Sequence, residues 1–166
     1  MDGGADQQAP RCYVWAVDLF AELQSLTGSL AASRVDYALC GAVALAIHGA
    51  PRATKDIDLL AREDDLPRLR EVVRGVGFDI EALPMTFSAS GISVRRFSKL
   101  AAAESLMLDV LFADGPLGAV FDTRIELPFE GGSLWVVSKE GLVTLKLAAG
   151  RPQGLVDIQR LRELAP

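Results

Sequence analysis

The chain has 166 residues, half of them hydrophobic and 23% charged, which describes a globular protein with a real core and excludes a disordered chain. Seventeen basic and 22 acidic residues leave a net charge of −5, so there is no general attraction for a nucleic-acid backbone, only room for a local basic patch. The two cysteines, Cys12 and Cys40, lack metal-type or disulfide-framework spacing, and no apolar run is long enough to span a bilayer.

The length suits one domain. Residues 1–10, rich in Gly, Asp, Gln and Ala, read as a flexible tail ahead of a single domain over 11–166. Their polar, acidic character lacks the basic start and apolar stretch of a secretory signal and points to the cytoplasm. From Tyr13 to Ser33 the apolar residues Val14, Val17, Leu19, Phe20, Leu23, Leu26 and Leu30 recur at near-helical spacing and predict a first amphipathic helix. Val35 to Cys40 is short and β-compatible; Cys40, in an apolar run, reads as a small buried hydrophobe. Ala42 to His48 predicts a helix ended by Gly49, Ala50 and Pro51.

Asp56 to Ala61 alternates and predicts a strand. A helix over Glu63 to Arg74 is stopped by Gly75 and Gly77. The stretch from Phe78 to Phe112 predicts three strands: Phe78 to Ala82, Ile92 to Leu100, and Ser105 to Phe112. Gly115 to Asp122 is a short helix or turn. Ile125 to Phe129 and Leu134 to Val137 form a strand pair around Glu130-Gly131-Gly132. Ser138 is a suitable N-cap for a helix through Ala149, and Gln153 to Leu164 is a last helix after Gly150-Arg151-Pro152. This order predicts an α+β fold, a mixed β-sheet flanked by helices with C-terminal helices at its end.

The chemistry concentrates in carboxylates. In Thr54-Lys55-Asp56-Ile57-Asp58-Leu59-Leu60, strand alternation puts Asp56 and Asp58 on one face. Two carboxylates a pleat apart suit a hard divalent cation; without one they repel each other. A bare Asp-x-Asp also fits solvated charges at a strand end. Asp109 tilts the balance, because it lies within the apolar strand Leu106-Met107-Leu108-Asp109-Val110-Leu111-Phe112. An acid there is costly unless paired, hydrogen-bonded or metal-bound. If the two strands are neighbours, the three aspartates form one cluster; otherwise Asp109 caps a turn or pairs with a nearby Arg.

Upstream, Leu39-Cys40-Gly41-Ala42-Val43-Ala44-Leu45-Ala46-Ile47-His48-Gly49, then Pro51-Arg52-Ala53-Thr54 and Asp56-Ile57-Asp58, resemble the signature of the nucleotidyltransferase superfamily. The Gly-x-x-Arg-x-Thr-x-Asp-Ile-Asp-Leu form, together with Val137 to Pro152, is similar to the AbiEii-type branch, whose members include toxins of type IV toxin–antitoxin systems. The resemblance runs over roughly residues 35–160. It implies a nucleotidyltransferase-like fold with Asp56, Asp58 and Asp109 as catalytic residues and as ligands of Mg²⁺ or Mn²⁺. It implies nucleotide contacts at Gly41, Ala42, Arg52, Thr54 and Lys146. The implied reaction moves a nucleoside monophosphate from a nucleoside triphosphate to an acceptor hydroxyl on a protein, an RNA end or a small molecule. The implied partner is an antitoxin, and no membrane is involved.

Each part has a physical rationale. A Gly41-Ala42 turn opening a helix presents backbone N–H groups to a triphosphate. Lys146 either neutralises phosphate or is a solvated helix lysine; Arg52 either contacts phosphate or pairs with an aspartate. His48, the only histidine, reads as a helix-end packing residue in preference to a catalytic base, and Arg151 binds substrate or caps helix carbonyls. The chain departs from the superfamily at Ala42, where Gly or Ser is usual, and at Gly154, where relatives often carry an acid. A second reading keeps the fold but makes the chain a catalytically weak nucleotide- or partner-binding protein. A dinucleotide-binding domain is discounted, since there is neither a Gly-x-Gly-x-x-Gly after a strand nor a Walker A sequence.

Overall fold

The alternation in Ser105 to Phe112 organises the sheet. Leu106, Leu108, Val110 and Phe112 are buried, while Met107, Asp109 and Leu111 are only partly buried on the opposite face. Fully burying one such Leu stabilises the fold by about 1.5–3 kcal/mol, and a one-residue slip would send Asp109 into the core instead. The structure is a computed structural model describing residues 18–88, 90–101, 104–130 and 132–164. The proposed tail, Cys12, Val14 and Val17 lie outside these.

In chain order the elements are α1 Leu19–Ala32, β1 Tyr37–Cys40, α2 Gly41–Ile47, β2 Asp56–Ala61, α3 Leu66–Gly75, β3 Ile80–Glu81, β4 Met85–Phe87 and β5 Ile92–Ala101. Then come β6 Glu104–Phe112, α4 Gly118–Asp122, β7 Ile125–Phe129, β8 Gly132–Val136, α5 Lys139–Ala149 and α6 Pro152–Glu163. The strands form one mixed sheet in the order β3-β5-β6-β2-β1-β8-β7, with β4 paired to β5. The central β2 runs parallel to β6 and antiparallel to β1. This is the α+β architecture expected, a mixed sheet with helices against it and two helices closing the chain.

Several boundaries differ from expectation for identifiable reasons. Among the described residues the first helix begins at Leu19, where Asp18 caps it: its Oδ1 accepts from the N–H groups of Phe20 and Ala21; the expected helical stretch from Tyr13 to Val17 lies outside the described residues. Pro67 sits in the first turn of α3, and Glu63–Asp65 form a separate 3-10 turn before it. The region from Phe78 to Phe112 holds four strands, not three, since Met85–Phe87 adds an antiparallel strand to β5. As expected, Ser138 caps α5, its hydroxyl accepting from the N–H of Gly141.

Helices α1 and α3 are tied to one face of the sheet through Lys99 of β5. Its ammonium donates to Glu22 of α1 at 2.8 Å and to the Val76 carbonyl just past α3 at 2.9 Å. Phe97, two residues earlier on the same face, is fully buried. The other face of β5 carries Ile92, Val94 and Arg96, and these open into a cavity. That cavity is also bordered by α5 and α6.

Candidate active site

Strand register assembles the site. Asp58 on β2 pairs across the sheet with Asp109 on β6, Asp109 pairs with Arg96 on β5, and Asp58 pairs with Cys40 on β1. A row Arg96–Asp109–Asp58–Cys40 therefore crosses four strands. Asp56 lies one pleat away on the same face as Asp58, opposite Met107. Asp56, Asp58 and Asp109 all line one cavity of about 510 Å³, large enough for a small-molecule ligand.

Gly41 makes room for this arrangement. It sits at φ +62°, a conformation few side chains adopt, and a Cβ there would fall 1.9 Å from Asp58 Oδ2. The Asp58 carboxylate is therefore packed directly against the backbone that opens α2. Cys40, just before it, is buried, and burial followed by the nearby Asp58 charge pushes its thiol well above its ordinary range.

Asp58 itself is pushed up to about 6, first by burial, then by the negative charges of Asp109 and Asp56, with Lys146 and Arg151 opposing. Neither Asp56 nor Asp58 forms an ion pair among the described residues. Asp109 does: Arg96 grips it with a fork, Nε to Oδ1 and Nη2 to Oδ2, each at 2.7 Å. Among the described residues no group of three or more His, Cys, Asp or Glu side chains is arranged as a finished metal site. The two uncompensated acids are nonetheless a suitable donor set for a hard divalent cation, with Asp109 adjacent and turned onto Arg96.

A second charged cluster borders the same cavity. Asp157 of α6 has 1% of its side chain exposed and accepts from Lys146 Nζ at 2.7 Å, Gln153 Nε2 at 3.2 Å and Arg52 Nε at 3.3 Å. Burial acts to raise its pKa, but hydrogen bonds from Lys146 and Gln153 and the charges of Lys146 and Arg52 outweigh it and hold the carboxyl below its ordinary range. Lys146, with 10% exposure, is thus neither a solvated helix lysine nor free for phosphate while this pair stands.

Asp157 was not expected from the sequence, although a signal was there: Gly154, Asp157, Ile158 and Leu161 share the buried face of α6. Gly154 has a packing role, since a Cβ there would lie 3.3 Å from the Lys146 carbonyl. Arg96 was also missed.

Of the other expected nucleotide contacts, Gly41, Ala42, Arg52 and Lys146 line the cavity and Thr54 does not. The Thr54 hydroxyl accepts from the Asp56 N–H at 3.2 Å and so braces the start of β2. His48 packs at the helix end as expected, its Nε2 donating to the Val137 carbonyl at 2.8 Å. Arg151 caps no carbonyl of α5 among the described residues; the N–H of Gly150, at φ +61°, does that. Its guanidinium lies 5.9 Å from the Phe87 ring at the cavity wall. The wall on that side is apolar, formed by Met85, Phe87, Ile92, Val94 and Leu111.

Known proteins share this architecture. ANT(2'')-Ia, solved in complex with adenylyl-2''-tobramycin, is 15% identical with a TM-score of 0.55, over 86% of each chain. TM1012 of Thermotoga maritima, a candidate nucleotidyltransferase, is 14% identical with a TM-score of 0.59, over 85% of this chain and 90% of that one. JHP933 of Helicobacter pylori is 16% identical with a TM-score of 0.54, over 86% of this chain and 64% of that one. At such identities these likenesses establish the fold alone. No curated protein sequence matches the chain. The family model described as "Nucleotidyl transferase AbiEii toxin, Type IV TA system" matches residues 24–152. Spanning most of the chain and both strands that carry the three aspartates, that match shows that the chain belongs to the AbiEii nucleotidyltransferase family.

Proposed function

We propose that the chain transfers a nucleoside monophosphate from a nucleoside triphosphate to an acceptor hydroxyl, releasing pyrophosphate, and that it does so in the cytoplasm as the toxin of a toxin–antitoxin pair. In this reading Asp56 and Asp58, with Asp109 beside them, hold Mg²⁺ or Mn²⁺. The observation that carries it is the pair of uncompensated acids, Asp56 and Asp58, in a cavity bordered by cationic side chains. Family membership supports the same chemistry. No helix among the described residues is long and apolar enough to cross a membrane.

When bound, the cation neutralises phosphate charge and stabilises the in-line displacement. The chain's own groups do the rest. Asp109 accepts the proton of the acceptor hydroxyl. Lys146 and Arg52 contribute positive charge toward the triphosphate from the Asp157 cluster. Ala42 has no hydroxyl to offer, so any contact it makes to phosphate is through its backbone.

The test is incubation with each labelled nucleoside triphosphate, Mg²⁺, cell RNA and cell protein. Label should move to one class of acceptor, and transfer should stop with chelator or with Asp58→Asn. Absence of transfer with every triphosphate and acceptor, alongside an intact partner interaction, would leave a nucleotide- or partner-binding protein of the same fold.

A further inference from the structure

We propose that Arg96 is a positioning residue that holds Asp109 in the cation-free protein and releases it when a divalent cation binds, its guanidinium then turning to an anionic phosphate of the nucleotide. The inference rests on the metal-site reading above. It begins with placement. Asp109 lies between two in-register neighbours, the like-charged Asp58 on β2 and the oppositely charged Arg96 on β5. Both Asp109 oxygens are taken up by the Arg96 fork at 2.7 Å.

A guanidinium and a divalent cation cannot comfortably share one carboxylate, because they repel each other at such range. Cation binding at Asp56 and Asp58 therefore recruits Asp109 only as the fork opens. Arg96 is able to move: its side chain is 38% exposed, it lines the cavity, and among the described residues its side chain bonds to Asp109 alone. Once released it is a cation beside the proposed nucleotide site without a counter-charge, and a phosphate oxygen accepts the same bidentate fork. In the cation-free state the fork also balances one of three clustered negative charges, so the resting site is less self-repulsive.

The experiment measures Mn²⁺ binding to the full chain by electron paramagnetic resonance, without nucleotide, in wild type, Arg96→Gln and Arg96→Lys. Arg96→Gln should bind Mn²⁺ roughly tenfold more tightly, the loss of one charged hydrogen-bonded competitor. Arg96→Lys, which keeps the charge and loses the fork, should fall between. In wild type, the Arg96 Nε–H resonance, assigned by its loss in Arg96→Lys, should lose its hydrogen-bonded shift on addition of Mg²⁺. With saturating Mn²⁺, Arg96→Gln should raise KM for the triphosphate more than it lowers kcat.

Unchanged or weaker Mn²⁺ binding in Arg96→Gln, with wild-type binding that is lost in Asp58→Asn, would overturn the exchange and leave the metal site standing. Mn²⁺ binding in none of the variants would overturn the metal reading and the exchange with it. Circular dichroism and thermal melts establish that each variant is folded; if Arg96→Gln does not fold, the Mg²⁺ response of the wild-type Nε–H resonance decides alone.

Discussion

The space that a side chain on Gly41 would need is occupied by the carboxylate of Asp58. Gly41→Ala therefore carries two costs, a Cβ 1.9 Å from Asp58 Oδ2 and a left-handed φ of +62°. The expected loss is about 2 kcal/mol or more of stability, with transferase activity falling further than stability because Asp58 is pushed out of line. Denaturant melts and a transfer assay on the folded fraction measure the two effects separately.

Asp58→Asn should behave in the opposite way. The folded carboxyl titrates at about 6 against an ordinary 3.8. The folded chain therefore retains a proton that the unfolded chain has released. The stability from this group is complete below about pH 4 and lost as pH rises through about 6. Without cation, the variant should equal wild type near pH 4 and exceed it by on the order of 2 kcal/mol at neutral pH. Transfer should nevertheless collapse. Chelator-treated melts across this pH range check the slope.

Asp109→Asn should abolish transfer and weaken triphosphate binding far less than Asp58→Asn does, since Asp56 and Asp58 remain to hold the cation while the group that takes the acceptor's proton is gone. Isothermal calorimetry with a non-hydrolysable triphosphate and Mg²⁺ separates the two. Loss of binding as large as that in Asp58→Asn would make holding the cation, and not proton transfer, the main task of Asp109.

Triphosphate binding by the wild type should require Mg²⁺ or Mn²⁺. The free acids Asp56 and Asp58 repel phosphate, and the neighbouring cations Lys146 and Arg52 are already engaged by Asp157. Equal binding heats with and without excess chelator would count against the roles given to the aspartates.

Asp157→Ala should unfold the chain more readily than any of these, by about 3–5 kcal/mol, because it leaves the buried Lys146 without its ion-pair partner. Its pH dependence also runs opposite to that of Asp58. The Asp157 carboxyl is held below its ordinary range, so its stabilisation is present at neutral pH and is lost as the solution becomes acidic through that lowered value. The double variant Asp157→Ala with Lys146→Met should recover part of the loss in a thermal melt.

Much of this was legible in the sequence wherever periodicity and chemistry agreed. The run Ser105 to Phe112 shows both its strand and its exceptional acid, and Ser138 marks the start of α5. Strand β4 was hidden because three residues after Pro84 are too few to display a period. Arg96 was hidden for a different reason. Nothing in the local sequence around Arg96 names its partner, and only the β5–β6 register shows that it faces Asp109. Thr54 lies in the motif that suggests a nucleotide contact, and only the structure shows its hydroxyl accepting from the backbone of Asp56 and lying off the cavity lining. Pairing across distant segments is what a single sequence conceals, and both charged clusters of the cavity depend on it.

The shared grip on Asp157 also bears on where this protein can be cut. The family match ends at residue 152, whereas Asp157 lies in the helix that follows and joins α5 to the loop before β2. A fragment trimmed to the matched span would retain all three aspartates of the sheet and lose the anchor of Lys146 and Arg52. The family's recognisable core is therefore shorter than the smallest piece expected to keep the cavity's cationic wall in place.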